Sequence, residues 1–257
     1  MLLALDVGNS NLVAGVYEGM TLRAHWRLQT TLGRTADEYG TLLRTLMTAS
    51  SLALDAIEAV AVASVVPRLA PTLAEFSRRT FGQEPWVVGD NLQPRLLVRY
   101  DPPSDVGADR LVDAIAAIRR YGTPALVVDL GTATTFNAIS GAGEYLGGAI
   151  APGVGTALEA LFHAAARLPW FELARPARVI GGNTVEAMQS GAFHGFVSLI
   201  EGMVSRFKAE LGDDARVVAT GGWSELIGRA SRGVDHVEPL LTLEGLRLVW
   251  EERSSPP

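Results

Sequence analysis

Two short polar loops in this sequence contain residue types suited to binding an anion and a cation together. The first, Asp6–Asn11, follows an apolar run and combines Gly8, which allows a sharp turn, with the polar donors of Asn9 and Ser10. Such a turn can wrap phosphate oxygens with its backbone N–H groups, while the Asp6 carboxylate can orient a magnesium ion through water. An ordinary hairpin turn, in which Asp and Asn are common, explains the same residues.

The second loop, Asp129–Thr135, has a similar composition. Thr132, Thr134 and Thr135 follow an aspartate that ends an apolar run. Their hydroxyl and N–H groups can face an anion, and the Asp129 carboxylate can hold a cation. A turn rich in strand-forming threonines is the alternative, but two Asp-x-Gly loops in one chain are harder to explain as ordinary turns.

A third group of polar residues, Tyr100–Arg110, precedes a predicted amphipathic helix over Leu111–Arg120. Asp105 and Asp109 lie about one turn apart if this helix begins early, so the two carboxylates would then point the same way. Acidic residues also stabilise a helix N-terminus electrostatically. On physical grounds alone, that structural role is the favoured explanation for either carboxylate.

The elements that must position these residues follow the same order in both halves of the chain. The first half predicts strands at Leu2–Leu5, Leu12–Tyr17, Leu22–Leu28, Ala59–Ala63 and Pro85–Val88. It also predicts a helix over Thr35–Thr48, opened by a Thr-x-x-Glu capping box, and a second helix after Pro67. The second half predicts strands at Ala125–Val128, Phe136–Ser140, Tyr145–Ile150 and Arg216–Ala219. It also predicts a long helix from Val185, a short helix over Trp223–Arg229 and a closing helix over Leu241–Glu252. The repeated pattern of strand, Asp-x-Gly and hairpin suggests two related halves facing each other across a cleft.

Composition limits the classes of protein to consider. The chain has 257 residues, of which 48% are hydrophobic and 19% charged, with a net charge of −6 and no cysteine. We therefore expect a globular protein without disulfides, and neither nucleic acid nor membrane as a partner. The N-terminus lacks a basic segment before its apolar run, which argues against a signal peptide. No apolar stretch approaches the roughly 20 residues that a membrane span needs.

Four longer motifs carry a resemblance to a known family. They are Asp-Pro-Pro-x-x-Val-Gly-Ala-Asp-Arg at 101–110, Val-Asp-x-Gly-Thr-Ala-Thr-Thr-Phe at 128–136, Tyr-Leu-Gly-Gly-Ala-Ile-Ala-Pro-Gly at 145–153, and Asn-Thr-Val-Glu-Ala-Met-Gln-Ser-Gly at 183–191. In this order they resemble the signature of type III pantothenate kinases, which belong to the actin-like phosphotransferase superfamily. The resemblance implies an α/β fold of duplicated ribonuclease H-like halves, residues 1–117 and 118–257. Each half would be a mixed sheet with flanking helices, with an ATP cleft between the halves.

The resemblance also implies a role for individual residues. Asp109 matches the catalytic base, Asp129 matches the ligand of a monovalent cation (K⁺ or NH₄⁺), and Asp6 would bind Mg²⁺ through water. The implied ATP-binding residues are Asp6, Val7, Gly8, Asn9, Ser10, Asn11, Leu12, Val13 and Thr132. The implied pantothenate-binding residues are Tyr100, Gly107, Ala108, Asp109, Arg110 and Thr184.

The activity implied is ATP-dependent phosphorylation of pantothenate to 4′-phosphopantothenate, the first step of coenzyme A biosynthesis, by a cytoplasmic homodimer. The alternative is a catalytically weak or inactive actin-like ATP-binding regulatory protein, although such a protein would not need a base at Asp109. A generic sugar kinase is disfavoured by the short chain. Three positions depart from the family pattern. Asn137 stands where an aspartate is common, Gly182 where a lysine is common, and Ala164 where a polar residue is common. Shortly after Ala164, Arg167 stands in place of a lysine.

One feature of the long helix from Val185 points to assembly. Its small residues form one narrow stripe: Ala187, Gly191, Gly195, Ser198 and Gly202. Glycine within a helix costs up to about 1 kcal/mol relative to alanine, so the stripe suggests a compensating close contact. The neighbour would be either a helix of the same subunit or the twofold partner.

Overall fold

A computed structural model describes residues 1–165 and 168–253 of the chain. Arg167 and the last four residues, which the sequence suggests form a frayed tail, lie outside the described residues. The chain divides into two compact units. The first unit contains Met1–Leu96, Asp101–Ala116 and the segment from Thr242 onward, and the second unit contains Leu97–Tyr100 and Ala117–Leu241.

The first unit is built on a five-stranded mixed sheet. Its strands are β1 (Leu2–Val7), β2 (Asn11–Glu18), β3 (Thr21–Gln29), β4 (Ala59–Ser64) and β5 (Trp86–Val87), in the order β3-β2-β1-β4-β5. The strands β1, β2 and β3 pair antiparallel, whereas β4 pairs parallel with both β1 and β5. The central strands β1 and β4 are almost wholly buried, as their unbroken apolar runs predict.

Helices α1 (Ala36–Ala49), α2 (Ala70–Phe81), α3 (Ala108–Tyr121) and α6 (Leu241–Glu252) complete this part of the fold, although α3 extends past Ala116. The predicted capping box of α1 is confirmed, because Thr35 and Glu38 each accept a hydrogen bond from the other's backbone N–H. The sequence placed α6 with the second half, but α6 groups with the first unit. The reason is close packing: a side chain on Gly245 would overlap the carbonyl of Val112 in α3.

The second unit contains a second five-stranded mixed sheet. Its strands are β6 (Ala125–Leu130), β7 (Ala133–Ile139), β8 (Tyr145–Pro152), β9 (Arg216–Thr220) and β10 (His236–Val237), in the order β10-β9-β6-β7-β8. Helices α4 (Val154–Ala164) and α5 (Thr184–Leu211) pack on one face. That face is apolar, with Leu126, Val128 and Phe136 of the sheet buried against Phe193 and Ile200 of α5.

The two sheets share one topology. In each sheet an antiparallel three-stranded meander is followed by two further strands that pair parallel with its first strand and with each other. The predicted duplication is therefore confirmed at the level of strand order and direction. The fold class is also confirmed as two mixed sheets with flanking helices.

Two helical segments differ from the prediction. Trp223–Arg229 is not a regular helix: it forms consecutive turns, with a 3-10 helix at Gly228–Ala230. The helix α4 was not predicted, because its N-cap residue Gly153 offers no side-chain cap as a start signal. Within residues 1–165 and 168–253, none of the helices combines the length and apolar character required to span a bilayer.

Candidate active site

The first polar loop joins β1 to β2 and is held in place by the end of β3. The Gly8 N–H donates to the carbonyl of Asn11 at 3.0 Å, which closes the turn. Thr30 supports the loop from outside: its hydroxyl donates to the Gly8 carbonyl at 2.7 Å and its N–H donates to the Ser10 carbonyl at 3.0 Å. Asn9 and Ser10 remain exposed at the tip. The loop thus has the fixed, open backbone that a phosphate-binding turn requires.

The second polar loop joins β6 to β7 and is supported by the start of α4. The Gly131 N–H closes the turn onto the Ala133 carbonyl at 3.0 Å. The carbonyl of Thr132 accepts hydrogen bonds from the Gly153 N–H at 3.1 Å and from the Thr156 hydroxyl at 2.7 Å. A side chain at Gly153 would overlap the Thr132 carbonyl, so only glycine allows this approach. The exposed Thr132 therefore lies beside a helix N-terminus, which favours an anion.

Asp6 and Asp129 occupy equivalent positions in the two sheets. Each is the penultimate residue of the central strand of its sheet. Each lies opposite one residue on an antiparallel neighbouring strand and one residue on a parallel neighbouring strand. Asp6 is opposite Val13 and Ala63, whereas Asp129 is opposite Thr135 and Thr220. The duplication thus places one carboxylate at the base of each loop, but only Asp129 has hydroxyl-bearing neighbours on both sides.

The Asp129 carboxylate fits between two glycines. A Cβ atom at Gly131 would lie 3.4 Å from its Oδ2, and a Cβ atom at Gly221 would overlap its Oδ1. Gly221 also has a φ of +88°, a left-handed conformation that favours glycine. Gly221 is not among the residues that the sequence pointed to, although a Gly-Gly pair directly after a predicted strand was an available signal.

Asp109 lies in the first turn of α3, which begins earlier than predicted. Its Oδ1 accepts the Arg110 N–H at 2.8 Å, and a Cβ atom at Gly107 would lie 2.5 Å from the same oxygen. Burial raises the pKa of the Asp109 carboxyl, although the Arg110 N–H and guanidinium partly oppose that rise. Asp105 differs, because it is exposed and belongs to the preceding 3-10 turn.

The other residues expected to bind substrate fall in two places. Gly107, Ala108 and the buried Arg110 surround Asp109 at the start of α3. Tyr100 belongs to the second unit, where the segment before it pairs with Tyr145 at the start of β8 through backbone hydrogen bonds. The Tyr100 ring lies over Gly147, where a Cβ atom would lie 3.0 Å from the ring.

Thr184 is the exposed first residue of α5. The turn before it is tied together by Glu186, which accepts hydrogen bonds from the Gly182 N–H at 2.7 Å and from the Asn183 side chain at 3.0 Å. The Gly182 N–H is also the main reason that the pKa of Glu186 is lowered. Gly182 therefore contributes a backbone contact at the position where the family pattern has a lysine.

Asn137 is completely buried within the second sheet, and its polar atoms are hydrogen-bonded. Its Nδ2 donates to the Thr135 hydroxyl oxygen at 3.0 Å, and its Oδ1 accepts the Tyr145 hydroxyl at 2.9 Å. This residue lies on the same strand as Thr135, two positions further on, so the two side chains share a face. Ala164, the third departure, is the last residue of α4.

The residues present suit a cation that other ligands help to coordinate. No group of three or more His, Asp or Glu side chains able to hold a metal occurs in the described parts of the chain. The loops offer instead one carboxylate each, with the hydroxyls of Thr135 and Thr220 on the strands beside Asp129. Carboxylate and hydroxyl oxygens are suitable ligands for hard cations that also bind substrate phosphates.

This chain has the fold of actin-like ATPases and sugar kinases. One similar structure is a putative 2-dehydro-3-deoxygalactonokinase from Sinorhizobium meliloti, with a TM-score of 0.60, 14% identity, and coverage of 100% of this chain and 98% of that one. Another is the activator of 2-hydroxyisocaproyl-CoA dehydratase from Clostridium difficile with bound ADPNP, with a TM-score of 0.57, 13% identity and coverage of 100% and 98%. At these identities the likeness shows the fold alone.

Sequence relatives identify the family within that class. A family model described as type III pantothenate kinase matches residues 2–206. A type III pantothenate kinase from Moorella thermoacetica is 51% identical and covers 99% of this chain and 100% of its own length. One from Myxococcus xanthus is 48% identical over 97% of this chain and 98% of that protein. The chain belongs to the type III pantothenate kinase family.

Proposed function

We propose that this protein transfers the γ-phosphoryl group of ATP to pantothenate, giving 4′-phosphopantothenate in the first step of coenzyme A biosynthesis. The observation that carries the proposal is the carboxylate of Asp109, whose pKa is raised by burial and which lies at the helix start that the family signature marks. A protein that only bound ATP would have no use for such a group. We propose a cytoplasmic location, since the reaction consumes ATP.

Asp109 is proposed to act as the base. Its Oδ1 already accepts the Arg110 N–H, so we assign Oδ2 as the oxygen that takes the proton from the primary hydroxyl of pantothenate. A carboxylate is a weak base toward an alcohol, and we therefore expect proton transfer late in phosphoryl transfer. The raised pKa makes Asp109 a stronger base than an exposed aspartate. Before that transfer, the same oxygen orients the attacking hydroxyl.

The two loops are proposed to bind the phosphates of ATP. Phosphoryl transfer needs in-line positioning and compensation of negative charge. The Asp6–Val13 segment would contribute backbone N–H groups from the tip that Thr30 supports. Thr132 would contribute its hydroxyl beside the first turn of α4. For pantothenate we propose contacts from Tyr100, Thr184 and the residues around Asp109.

Two cations are proposed to assist. Mg²⁺ would be oriented by Asp6 through water, and a monovalent cation, K⁺ or NH₄⁺, would be held by Asp129. When bound, these ions supply positive charge that offsets the charge of the phosphates. The oxygen-rich neighbourhood of Asp129 supports the second assignment, because Thr135 and Thr220 are its partners on both adjacent strands.

One assay tests the proposed function. ADP production should be slow with ATP and Mg²⁺ alone and should rise when pantothenate is added, with 4′-phosphopantothenate as the product identified by mass spectrometry. ATP binding without pantothenate-dependent turnover would favour the regulatory alternative. Turnover with a sugar instead of pantothenate would favour the sugar kinase alternative.

Replacing Asp129 with alanine should remove the dependence on a monovalent cation. Wild-type activity in Mg²⁺ alone should be low and should rise on addition of KCl or NH₄Cl, because the Asp129 carboxylate fixes the ion. The Asp129→Ala variant should stay at the low level at every KCl concentration. The measurement is initial rate against KCl concentration, with choline chloride keeping the ionic strength constant.

The matched control is Asp105→Asn, which also removes an acidic charge but at an exposed position of the first unit. It should keep the wild-type response to KCl. Equal wild-type rates in sodium and potassium buffers would contradict the assignment of Asp129, and would make Asn137, which replaces the family's aspartate, the first residue to examine.

A homodimer is proposed to form through the small-residue stripe of α5. Ala187, Gly191, Gly195 and Ser198 are exposed in the single chain. A Cβ atom at Gly191 or Gly195 would have no atom within 4 Å among the described residues. This open space does not support the alternative of close packing within the chain. A partner helix is the remaining neighbour that would compensate for the helical glycines.

Gly195→Leu should separate the dimer, because a large side chain would prevent close approach of the partner helix. We expect light scattering to show a monomer and pantothenate kinase activity to fall, since Thr184 begins the same helix. Ala49→Leu, which adds a leucine at an exposed position of α1 and away from the stripe, is the control and should remain dimeric. A stable and active Gly195→Leu dimer would refute the proposed interface.

A further inference from the structure

Three oxygen-bearing side chains form a row across the second sheet. Asp129 on β6 lies directly opposite Thr135 on the antiparallel strand β7. It also lies directly opposite Thr220 on the parallel strand β9. Paired residues on neighbouring strands direct their side chains to the same face, with Cβ atoms about 5 Å apart in an antiparallel pair. The carboxylate of Asp129 is therefore flanked by one hydroxyl on each side.

The two hydroxyls differ in their partners. The Thr135 hydroxyl oxygen accepts a hydrogen bond from the Nδ2 of Asn137. The Oδ1 of Asn137 accepts a hydrogen bond from the Tyr145 hydroxyl. Thr220 is only 1% exposed, and its hydroxyl has no hydrogen-bond partner in the part of the chain that the structure describes. An unsatisfied buried hydroxyl costs about 1–3 kcal/mol, so folded proteins seldom retain one without a water or an ion beside it.

The Asp129 carboxylate is also directed toward the strand that carries Thr220. Gly221 follows Thr220 immediately, and a side chain at Gly221 would overlap the Oδ1 of Asp129. The absence of a side chain at this position allows Oδ1 to lie against the end of β9. The Oδ1 of Asp129 and the unsatisfied hydroxyl of Thr220 therefore both lie at the end of β9.

We propose that the hydroxyl oxygen of Thr220 is a second protein ligand, beside Asp129, for the monovalent cation. This inference rests on the cation assignment made under the proposed function. One carboxylate balances a single positive charge, and neutral hydroxyl oxygens complete a shell for a hard cation without adding charge. The hydroxyl that the fold leaves unsatisfied would then be satisfied by the ion.

Thr220→Val tests the inference because it keeps the shape of the side chain and removes the oxygen. Thr134→Val is a matched control. Thr134 is likewise fully buried with no partner for its hydroxyl in the described residues, but it is opposite Leu130 and so faces the other side of the sheet from Asp129. Both variants remove an unsatisfied hydroxyl and should fold with unchanged or higher thermal stability in choline chloride.

The first readout is the melting temperature in increasing KCl at constant ionic strength, without ATP or pantothenate, since an ion that binds the folded state raises it. The second is the KCl concentration that gives half-maximal rate. We expect Thr220→Val to need at least tenfold more KCl in both measurements, Thr134→Val to match the wild type, and Thr220→Ser to restore the response.

An unchanged KCl response of Thr220→Val would overturn the inference, and so would equal losses in Thr220→Val and Thr134→Val. A wild type that phosphorylates pantothenate without any KCl response would also overturn it while leaving the proposed function intact. Conversely, KCl stabilisation that Thr220→Val removes, in a protein without pantothenate kinase activity, would support the cation ligand and refute the proposed function.

Discussion

Asp109→Asn is expected to lower turnover by about two or more orders of magnitude, the usual range for loss of a general base. The amide keeps the shape of the carboxylate and can still accept the Arg110 N–H, but it cannot take the proton of the pantothenate hydroxyl. Pantothenate affinity should change much less than turnover. Steady-state kinetics with pantothenate varied at saturating ATP measures both quantities.

Stability separates this effect from unfolding. Burial raises the pKa of Asp109, which means that the folded state disfavours the charged form. The charged carboxylate therefore lowers stability at pH values above its raised pKa, and the wild type should regain that stability as the pH falls through it. Asp109→Asn should consequently melt at the wild-type temperature or above at neutral pH.

The exposed Asp105 provides the matched control for turnover. Asp105→Asn makes the same chemical change four residues away, in the 3-10 turn before α3, and should keep nearly full activity. The wild-type kcat/KM should fall at acid pH, at a pH above the ordinary range for aspartate, because a protonated base is inactive. Near-normal turnover of Asp109→Asn would remove Asp109 from its proposed role.

Gly221→Ala should reduce activity by about a hundredfold, the loss that a shift of about 1 Å in an active-site group can cause. A Cβ atom at this position would overlap the Oδ1 of Asp129 and the backbone of Leu130, so the carboxylate must move. The substitution should also lower the free energy of unfolding, because alanine is strained at a φ of +88°. Denaturant melts and initial rates at saturating KCl measure the two effects.

Gly89→Ala isolates the backbone strain from the steric effect. Gly89 has a φ of +87°, almost the same as Gly221, but nothing lies within 4 Å of the Cβ position. It should therefore lose about 1–2 kcal/mol of stability to left-handed strain and keep its activity. If Gly221→Ala lost no more activity than Gly89→Ala, close packing of Gly221 against Asp129 would have no functional importance.

The sequence was sufficient where the relevant interactions are local. The capping box of α1 joins residues three positions apart, and both of its hydrogen bonds are present. The apolar runs before Asp6 and Asp129 predicted the central strands, because a strand buried on both faces needs an unbroken apolar sequence. The two Asp-x-Gly loops predicted the duplication, and four motifs predicted the family to which the chain belongs.

Site roles remain predictions, yet the structure shows which local environments they would use. The sequence alone did not distinguish Asp105 from Asp109, and only the resemblance favoured Asp109. The fold separates them, because α3 begins at Ala108 and Gly107 allows the carboxylate of Asp109 to fold back beside it. The partial burial of Asp109 and the exposure of Asp105 are properties of packing, which the spacing of the residues does not contain.

Tertiary structure alone decided the contacts that join distant parts of the chain. Thr30 supports the first loop, Thr156 supports the second, and Gly221 and Thr220 approach Asp129 from another strand. None of these residues belongs to the motif of the loop it supports, since strand order and register bring them together. The sequence by itself determined the strands, the loops and the family, because those depend on local pattern. The fold determined which oxygens and backbone groups surround Asp129, because that depends on which strands pair.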